Sequence, residues 1–221
     1  DNDGILHACW GYRMDATSAL ANEGLYYSQS ADKGATWRAA DGSVISAAGT
    51  RNDANSTRIF SAETGSGYVN QNGGCVDIHG HYHTCLTQYD DNGNTQIVHV
   101  WWDGSAWKSE VVTDFDFRMN LSSNLVMNDI TRPVIGATPS GRVYIIYHTT
   151  YNGLSGAIMA VDVTDEGNPQ SMVVAAFDIG TQSMGFNVAH MLKTGDFMAL
   201  MARGVANSSS PGYGTFSAQP V

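Results

Sequence analysis

The sequence is poor in charged residues, in cysteine and in proline, and it contains no long apolar run. Asp, Glu, Lys and Arg make up 14% of its 221 residues, and there are three cysteines and five prolines. No apolar stretch approaches the ~20 residues of a membrane-spanning helix. Three cysteines allow at most one disulfide bond within the chain. These shortages argue against a disulfide-rich scaffold and against a membrane partner.

Positive charge is scarce as well. Lys and Arg number 11 against 21 Asp and Glu, which gives a formal net charge of −10. No Lys/Arg run is present that could neutralise phosphates, so a nucleic-acid partner is not expected. Eight of the 11 cations are Arg, whose planar guanidinium suits local binding of carboxylates. Single anion-binding sites therefore stay open in an otherwise acidic protein.

Glycine is abundant, with 24 residues, and it recurs in a repeated pattern. In four places a turn ending in Gly is followed by a strand-like run, and these glycines are 76, 61 and 54 residues apart. The four segments are Asp3–Trp10, His79–Leu86, Ser140–Tyr147 and Thr194–Met201. Repeats of short strands at such spacing are typical of β-propeller blades. We predict one all-β domain over residues 1–221, with blade-like modules at about 1–72, 73–130, 131–182 and 183–221.

Further strands are expected before and after these turns. Before them we predict Gly74–Asp77, Pro133–Ala137 and Val188–Leu192, and between the repeats Gln96–Trp102, Ala157–Val163 and Met172–Phe177. No long helical period is present, although 17–21 could form a brief turn. Two arrangements fit: a four-bladed propeller closed by the tail after Arg203, or part of a larger, seven-bladed one. The second is favoured because Asp1 falls inside a hairpin.

One turn has a distinctive sequence, Ser30-Ala31-Asp32-Lys33-Gly34-Ala35-Thr36-Trp37. Asp32 can accept hydrogen bonds from backbone N–H groups two or more residues on, and Gly34 can adopt a positive φ. Thr36 and Trp37 then restart a strand. The pattern resembles the Asp-box of sialidase-type repeats, which caps a hairpin at the edge of a propeller blade. The alternative is an ordinary hairpin with Asp and Gly in its turn.

Taken together, several segments resemble the BNR-4 type of repeat protein. They are 6–13, the turn with residues 38–42, 70–77, 98–107 and 132–134, so the resemblance covers about residues 3–150. Members of this group include polysaccharide lyases, notably ulvan lyases that look like seven-bladed propellers. The resemblance implies a secreted, extracellular or periplasmic lyase acting on an acidic polysaccharide, of which this chain would be the C-terminal part.

Cleavage beside a uronic acid by β-elimination needs a group that neutralises the carboxylate, a base and an acid. Arg13 matches the Arg of the family's Trp-x-x-Arg stretch and is the expected catalytic neutraliser; the alternative is an Arg paired with Asp15. Tyr12 either binds sugar or packs under Arg13. His148 either reaches the same channel mouth or is a solvated strand end.

Substrate binding is further expected of Tyr68 and Asn70. Asn70 begins a segment that carries the resemblance, and Tyr68 lies two residues before it. The resemblance also implies that the His and Tyr that act as base and acid in the lyases belong to earlier blades. Those blades, and with them the complete catalytic set, would then be missing from this chain.

A metal site is the other candidate. His81, His83 and Cys85 alternate along one strand face, and a His79-Gly80-His81 loop would place Cys75 opposite Cys85 and Asp77 opposite His83. Cys and His are ordinary zinc ligands, and zinc occurs in relatives of the lyase group. We therefore predict a structural zinc held by Cys75, His81, His83 and Cys85. A Cys75–Cys85 disulfide, or inert buried residues, are the alternatives.

Trp101, Trp102 and Trp107 flank a tight turn, where they either stack on sugars or fill a blade core. Two other functions remain open beside the lyase. A sialidase-like glycoside hydrolase would need paired carboxylates and an Arg cluster, and no such set stands out. A non-catalytic carbohydrate-binding propeller needs neither.

Overall fold

The fold is described from a computed structural model of the chain. The structure describes residues 1, 3–15, 18–45, 57–69, 73–119, 130, 133–150, 156–176, 182–186, 188–196 and 199–203. These residues form antiparallel sheets and contain little helix. The prediction of an all-β fold is therefore confirmed.

The first sheet contains five strands. They are β1 (Leu6–Arg13), β2 (Asn22–Ser30), β3 (Trp37–Arg38), β4 (Val44–Ile45) and β5 (Arg58–Phe60). The order is β1-β2-β3-β4, and β5 pairs with the other end of β2. A 3₁₀ turn at Ala19–Ala21, within the predicted 17–21 turn, joins β1 to β2.

The second sheet is a four-stranded meander. It consists of β6 (Gly74–Val76), β7 (Tyr82–Tyr89), β8 (Thr95–Trp102) and β9 (Trp107–Val111), in sequence order. The third sheet repeats this order with β10 (Val134–Ala137), β11 (Val143–Thr149), β12 (Ala157–Asp162) and β13 (Gln170–Ala176). The strands predicted in these two sheets are confirmed within a few residues at their ends.

The last described sheet has two strands, β14 (Gln182–Phe186) and β15 (Ala199–Arg203). Between them Val188–Thr194 forms the helix α1, so the strand predicted at Val188–Leu192 was wrong. Val188, Met191 and Leu192 follow the i, i+3, i+4 spacing of a helix. Gly195 ends the helix with φ +82°, and its N–H donates to Met191 O at 2.8 Å.

The turn at Ser30–Thr36 has the internal hydrogen bonds that the sequence predicts. The Thr36 N–H donates to Asp32 Oδ1 at 2.7 Å, and Ser30 Oγ donates to the same oxygen at 2.8 Å. Gly34 has φ +91°, and its N–H donates to Ser30 Oγ at 2.8 Å. The turn thus satisfies its backbone donors locally before the chain restarts as a strand at Trp37.

The register of the β6–β7 hairpin differs from the prediction. Cys75 pairs with His83, and the Asp77 N–H donates to His81 O at 2.9 Å, so the loop is Ile78–Gly80. The Asp77 carboxylate sets this loop, because Oδ1 accepts the N–H groups of both His79 (2.9 Å) and His81 (2.8 Å). Predicting Cys75 opposite Cys85 and Asp77 opposite His83 was wrong by two residues.

The second sheet lies between the first and the third, and each of its faces belongs to a different core. On one face Tyr82, Leu86, Val98 and Val100 pack with Leu25 and Tyr27 of the first sheet. On the other face the core joins the second sheet to the third; it contains Cys75, Cys85, Ile97, Ile135, Ile145 and Val161. Side chains alternate between the two faces along β7 and β8. One set of side chains therefore packs against the first sheet, and the other set packs against the third.

Candidate functional site

Four segments meet at one end of the first two sheets: residues 18–22, 61–69, 89–94 and 112–119. We call this region the loop end. The Gly65 N–H donates to Leu20 O at 2.7 Å, and the Tyr89 N–H donates to Ser66 O at 2.6 Å. Segment 61–69 thereby connects the β1–β2 turn with the β7–β8 turn. Polar side chains carried by separate strands lie together in this region. The loop end is therefore the candidate functional site.

Arg13 is the last residue of β1 and is exposed at the loop end. Its Nε donates to Ser18 O at 3.0 Å, which fixes the side chain over the turn that follows the strand. The Met14 N–H donates to Ala21 O at 2.8 Å and closes the same turn. The predicted carboxylate-binding residue is thus exposed and held in place by the backbone.

Tyr12 precedes Arg13 but packs within the first sheet. Its ring makes an edge contact with Tyr26, with centroids 5.1 Å apart. The Tyr26 hydroxyl in turn accepts hydrogen bonds from Arg58 Nε (3.2 Å) and Nη2 (2.9 Å). The described contacts of Tyr12 are thus with the sheet, and its role toward a sugar stays a prediction.

Tyr68 lies beneath the loop end with a relative exposure of 1%. Its backbone carbonyl accepts a hydrogen bond from Asn22 Nδ2 at 3.0 Å, which ties segment 61–69 to β2. Burial raises the pKa of its hydroxyl far above the usual range. Tyr68 therefore supports the site from below. Asn70, the other predicted binding residue of this segment, lies outside the described residues.

Sequence reasoning missed Arg118, which is also exposed at the loop end. Its guanidinium carbon lies 3.8 Å from the centroid of the Tyr89 ring. The signal that could have indicated it is a single cation directly after the alternating aromatic residues Phe115 and Phe117. These two rings pack against each other at 5.1 Å and hold the segment on the core.

His148 does not lie on an exposed surface. It belongs to β11, pairs with Ile158 and has a relative exposure of 1%. Burial lowers the pKa of its imidazole. The His148 side chain could reach an open channel mouth only if the residues around it moved. Its contact with a substrate therefore stays a prediction.

The four predicted zinc ligands share one face of the second sheet, but the described side chains do not converge on one point. His83 Nδ1 lies 2.9 Å from His99 Nε2, and His83 Nε2 lies 3.6 Å from Asp77 Oδ2. Across the described ranges no group of three or more His, Cys, Asp or Glu side chains could hold a metal ion. This arrangement does not fit a tetrahedral zinc site, and zinc binding stays a prediction.

Neither Cys75 nor Cys85 forms a disulfide bond, and both thiols are buried, so the alternative of a disulfide is not present in the structure. Burial raises the pKa of each thiol well above its usual value. Both pack in the core shared with the third sheet. In this arrangement they behave as small apolar residues.

The residues around His83 form a buried polar chain that the sequence did not predict. His99 Nδ1 lies 3.3 Å from Glu110 Oε1, while Glu110 Oε2 accepts the N–H of Gly167 at 2.8 Å. Burial lowers the pKa of His99 to about 4, against the opposing effect of Glu110. This row of polar side chains runs from the second sheet to the β12–β13 turn, and it joins the second sheet to the third through polar groups.

Two of the tryptophans around the predicted tight turn, Trp101 and Trp107, are packing residues. Trp101 is buried, stacks on His99 at 4.5 Å, and donates from Nε1 to Glu166 of the third sheet's last turn at 3.0 Å. Trp107 makes an edge contact with Tyr27 at 5.1 Å. The alternative of core packing therefore describes Trp101 and Trp107.

Comparison with solved structures defines the class of fold. A polysaccharide lyase of family PL25, an ulvan lyase bound to -[GlcA(1-4)Rha3S]-, aligns with a TM-score of 0.59 and 16% identity. Another structure of a PL25 ulvan lyase gives 0.57 at 16%, and the polysaccharide lyase Uly1 gives 0.53 at 14%. The alignments cover 83%, 82% and 92% of this chain but 42%, 41% and 41% of those chains. The chain thus has the fold of part of these lyases and spans less than half of their length.

The family is established by the sequence itself. The model of the BNR repeat-containing family (BNR_4) matches residues 1–115, which is more than half of the 221 residues. No curated protein matches the chain. The chain belongs to the BNR repeat-containing family, and the predicted resemblance is confirmed.

Proposed function

We propose that this chain is part of a polysaccharide lyase that cleaves a uronic-acid-containing, ulvan-like polysaccharide by β-elimination. Its three larger sheets would be blades of a β-propeller, completed by further blades of a longer protein. The shared fold with ulvan lyases and the family membership support this proposal. One of those structures contains an oligosaccharide of glucuronic acid and sulfated rhamnose, which supports an acidic carbohydrate as substrate.

The observation that carries the proposal is the position of Arg13. Its guanidinium is exposed at the end of β1 and is held by the Ser18 carbonyl. A guanidinium can donate two parallel hydrogen bonds to a carboxylate. Binding the uronate carboxylate in this way would make the neighbouring C–H more acidic, because it stabilises the negative charge that develops as the proton leaves.

A base must then remove this proton, and an acid must protonate the departing glycosidic oxygen. Neither Tyr68 nor His148 is exposed enough in the structure to perform these steps. We propose that the base and the acid belong to blades outside this chain. The active site would then be assembled between Arg13 and residues of those blades.

The test is to incubate the full-length protein with ulvan and other acidic polysaccharides and to measure the products. A lyase leaves an unsaturated uronic acid, which absorbs in the ultraviolet, together with a new reducing end. New reducing ends without this absorbance would indicate a hydrolase and would contradict the proposal. Binding without either product would indicate a carbohydrate-binding protein.

We also propose that the protein acts outside the cytoplasm, because a polysaccharide is too large to cross a membrane uncut. No helix among the described residues is long and apolar enough to span a membrane. Detection of the native protein in the culture medium or periplasm would support this location. Its confinement to the cytoplasm would contradict it.

A further inference from the structure

The guanidinium of Arg118 is exposed and lies over the ring of Tyr89. The distance from its carbon to the ring centroid is 3.8 Å, well within the range of a cation–π contact. Its Nη1 donates to Gly93 O at 3.4 Å. An exposed Arg normally samples many rotamers, and these two contacts restrict it to one side of the ring.

The backbone that carries Arg118 is fixed on both sides by Thr95. The Thr95 N–H donates to Phe117 O at 2.7 Å, and the Met119 N–H donates to Thr95 Oγ1 at 2.8 Å. Thr95 is itself fully buried at the start of β8. Arg118 therefore projects from a rigid attachment to the second sheet.

Tyr89 is held with equal firmness. Its hydroxyl donates to Met119 O at 3.1 Å, and its N–H donates to Ser66 O at 2.6 Å. Its ring lies against Gly67, where an added Cβ would be 2.8 Å from two ring carbons. The ring thus forms a fixed platform, and Arg118 is preorganised on it.

The charge of Arg118 is met by an aromatic ring and a carbonyl oxygen in the described part of the chain. This differs from Arg142, which forms an ion pair with Asp162. The protein has a net charge of −10, yet the contacts that hold the exposed guanidinium of Arg118 come from an aromatic ring and a carbonyl rather than from a carboxylate. Such a guanidinium is suited to bind an anion from outside the protein.

We propose that Arg118 and Tyr89 form an anion subsite that binds a second acidic group of the polysaccharide, a carboxylate or a sulfate. This rests on the proposed function, in which Arg13 binds the uronate at the cleavage site. Segment 61–69 contacts both the turn after Arg13, through Gly65, and Tyr89, through Ser66. Both guanidinium groups therefore belong to the loop end, and the proposal requires one polymer chain to contact both of them.

The experiment compares Arg118→Gln, Arg118→Lys and Tyr89→Leu with the unchanged full-length protein. The control is Arg38→Gln, which removes one exposed Arg whose guanidinium binds the backbone carbonyl of Gly42 in a distant hairpin. Binding of ulvan oligosaccharides is measured by calorimetry under conditions without turnover, and kcat and KM are measured separately. Desulfated and carboxyl-reduced oligosaccharides distinguish the two acidic groups.

We expect Arg118→Gln to raise Kd and KM on the order of 10- to 100-fold with little change in kcat, because a charge-assisted contact is lost. Arg118→Lys should recover part of the affinity, Tyr89→Leu should lose part of it, and Arg38→Gln should change little. The oligosaccharide that lacks the recognised group should bind wild type and Arg118→Gln equally. Unchanged binding by Arg118→Gln, or an equal loss in Arg38→Gln, would overturn the subsite. If these binding differences are observed but no cleavage occurs, the proposed lyase activity is rejected and the anion subsite is retained.

Discussion

The contact between Gly11 and Tyr68 allows one prediction to be worked out in detail. Gly11 lies in β1 at the irregularity in its pairing with β2, and a Cβ added there would overlap the Tyr68 hydroxyl. The same Cβ would lie 3.0 Å from Tyr68 Cε1 and Cζ. Tyr68 is 1% exposed, so the ring cannot swing into solvent. We therefore expect Gly11→Ala to destabilise the protein.

The magnitude follows from two opposing effects. Overpacking of a tight core costs ~1–3 kcal/mol. Replacing Gly by Ala within a strand returns roughly 0.5–1 kcal/mol, because the unfolded chain has less freedom to lose. The net loss in free energy of unfolding should therefore be about 0–2.5 kcal/mol.

Tyr68→Phe provides the matched second substitution. Its hydroxyl is buried, and among the described residues no hydrogen-bond partner is found for it. Removing an unpaired buried hydroxyl should leave stability unchanged or raise it slightly. In the Tyr68→Phe background the worst overlap with the new methyl group is gone and contacts of 3.0 Å remain, so Gly11→Ala should cost less.

The assay is urea denaturation of the wild type, both single variants and the double variant. The expected coupling free energy is about 1 kcal/mol, above the ~0.3–0.5 kcal/mol within which independent substitutions add. If Gly11→Ala costs the same in both backgrounds, the overlap is not the cause. If Tyr68→Phe alone destabilises by more than about 1 kcal/mol, the hydroxyl has a partner and the reasoning fails.

Three further predictions concern other parts of the molecule. Under the proposed function, Arg13→Ala in the full-length protein should lower kcat by on the order of a hundred- to a thousandfold with a smaller effect on KM, and Arg13→Lys should restore part of the loss. Near-normal turnover would remove Arg13 from the proposed mechanism. The pKa of Asp32 is lowered by the Thr36 N–H and by Ser30, so its contribution to stability is present above about pH 4 and lost as pH falls through the lowered pKa. The melting temperatures of wild type and Asp32→Ala should therefore differ at about pH 7 and converge in acid, and a constant difference would contradict this. Cys75 and Cys85 are buried and form no disulfide, so both should react with a thiol reagent only after unfolding and without prior reduction. Metal analysis should accompany this titration, because one zinc per chain would show that the predicted ligands rearrange.

The strands and the Asp32 turn were predictable because local chemistry determines them. Alternating apolar residues form the strands, and the Asp32 carboxylate satisfies its own turn. The sequence also contains the signal that determines the register of the β6–β7 hairpin, although the predicted register was wrong. In Asp77–Gly80 and Asp90–Gly93 an Asp carboxylate accepts N–H groups two and four residues later, and the Gly adopts a positive φ. The spacing of Asp and Gly therefore fixes the loop in both hairpins.

The site was less predictable, because its contacts join distant segments. Arg13 could be found from its position after a strand and from the family motif. For Arg118 the local signal, a cation directly after Phe115 and Phe117, is weak, because its importance depends on Tyr89, 29 residues earlier, and on Ser66 in another connection. The burial of His148 likewise depends on the third sheet's packing rather than on its own neighbours in sequence. Such long-range contacts cannot be derived from a local pattern alone.

The position of β7 between two cores constrains how the protein can change in evolution. Its successive side chains belong by turns to the core with the first sheet and to the core with the third. Inserting or deleting a single residue within β7 would exchange the two sets and damage both cores at once. Insertions and deletions should therefore accumulate in the turns between strands. Family members should differ in length at the loop end, where a new substrate specificity can arise without altering the sheets.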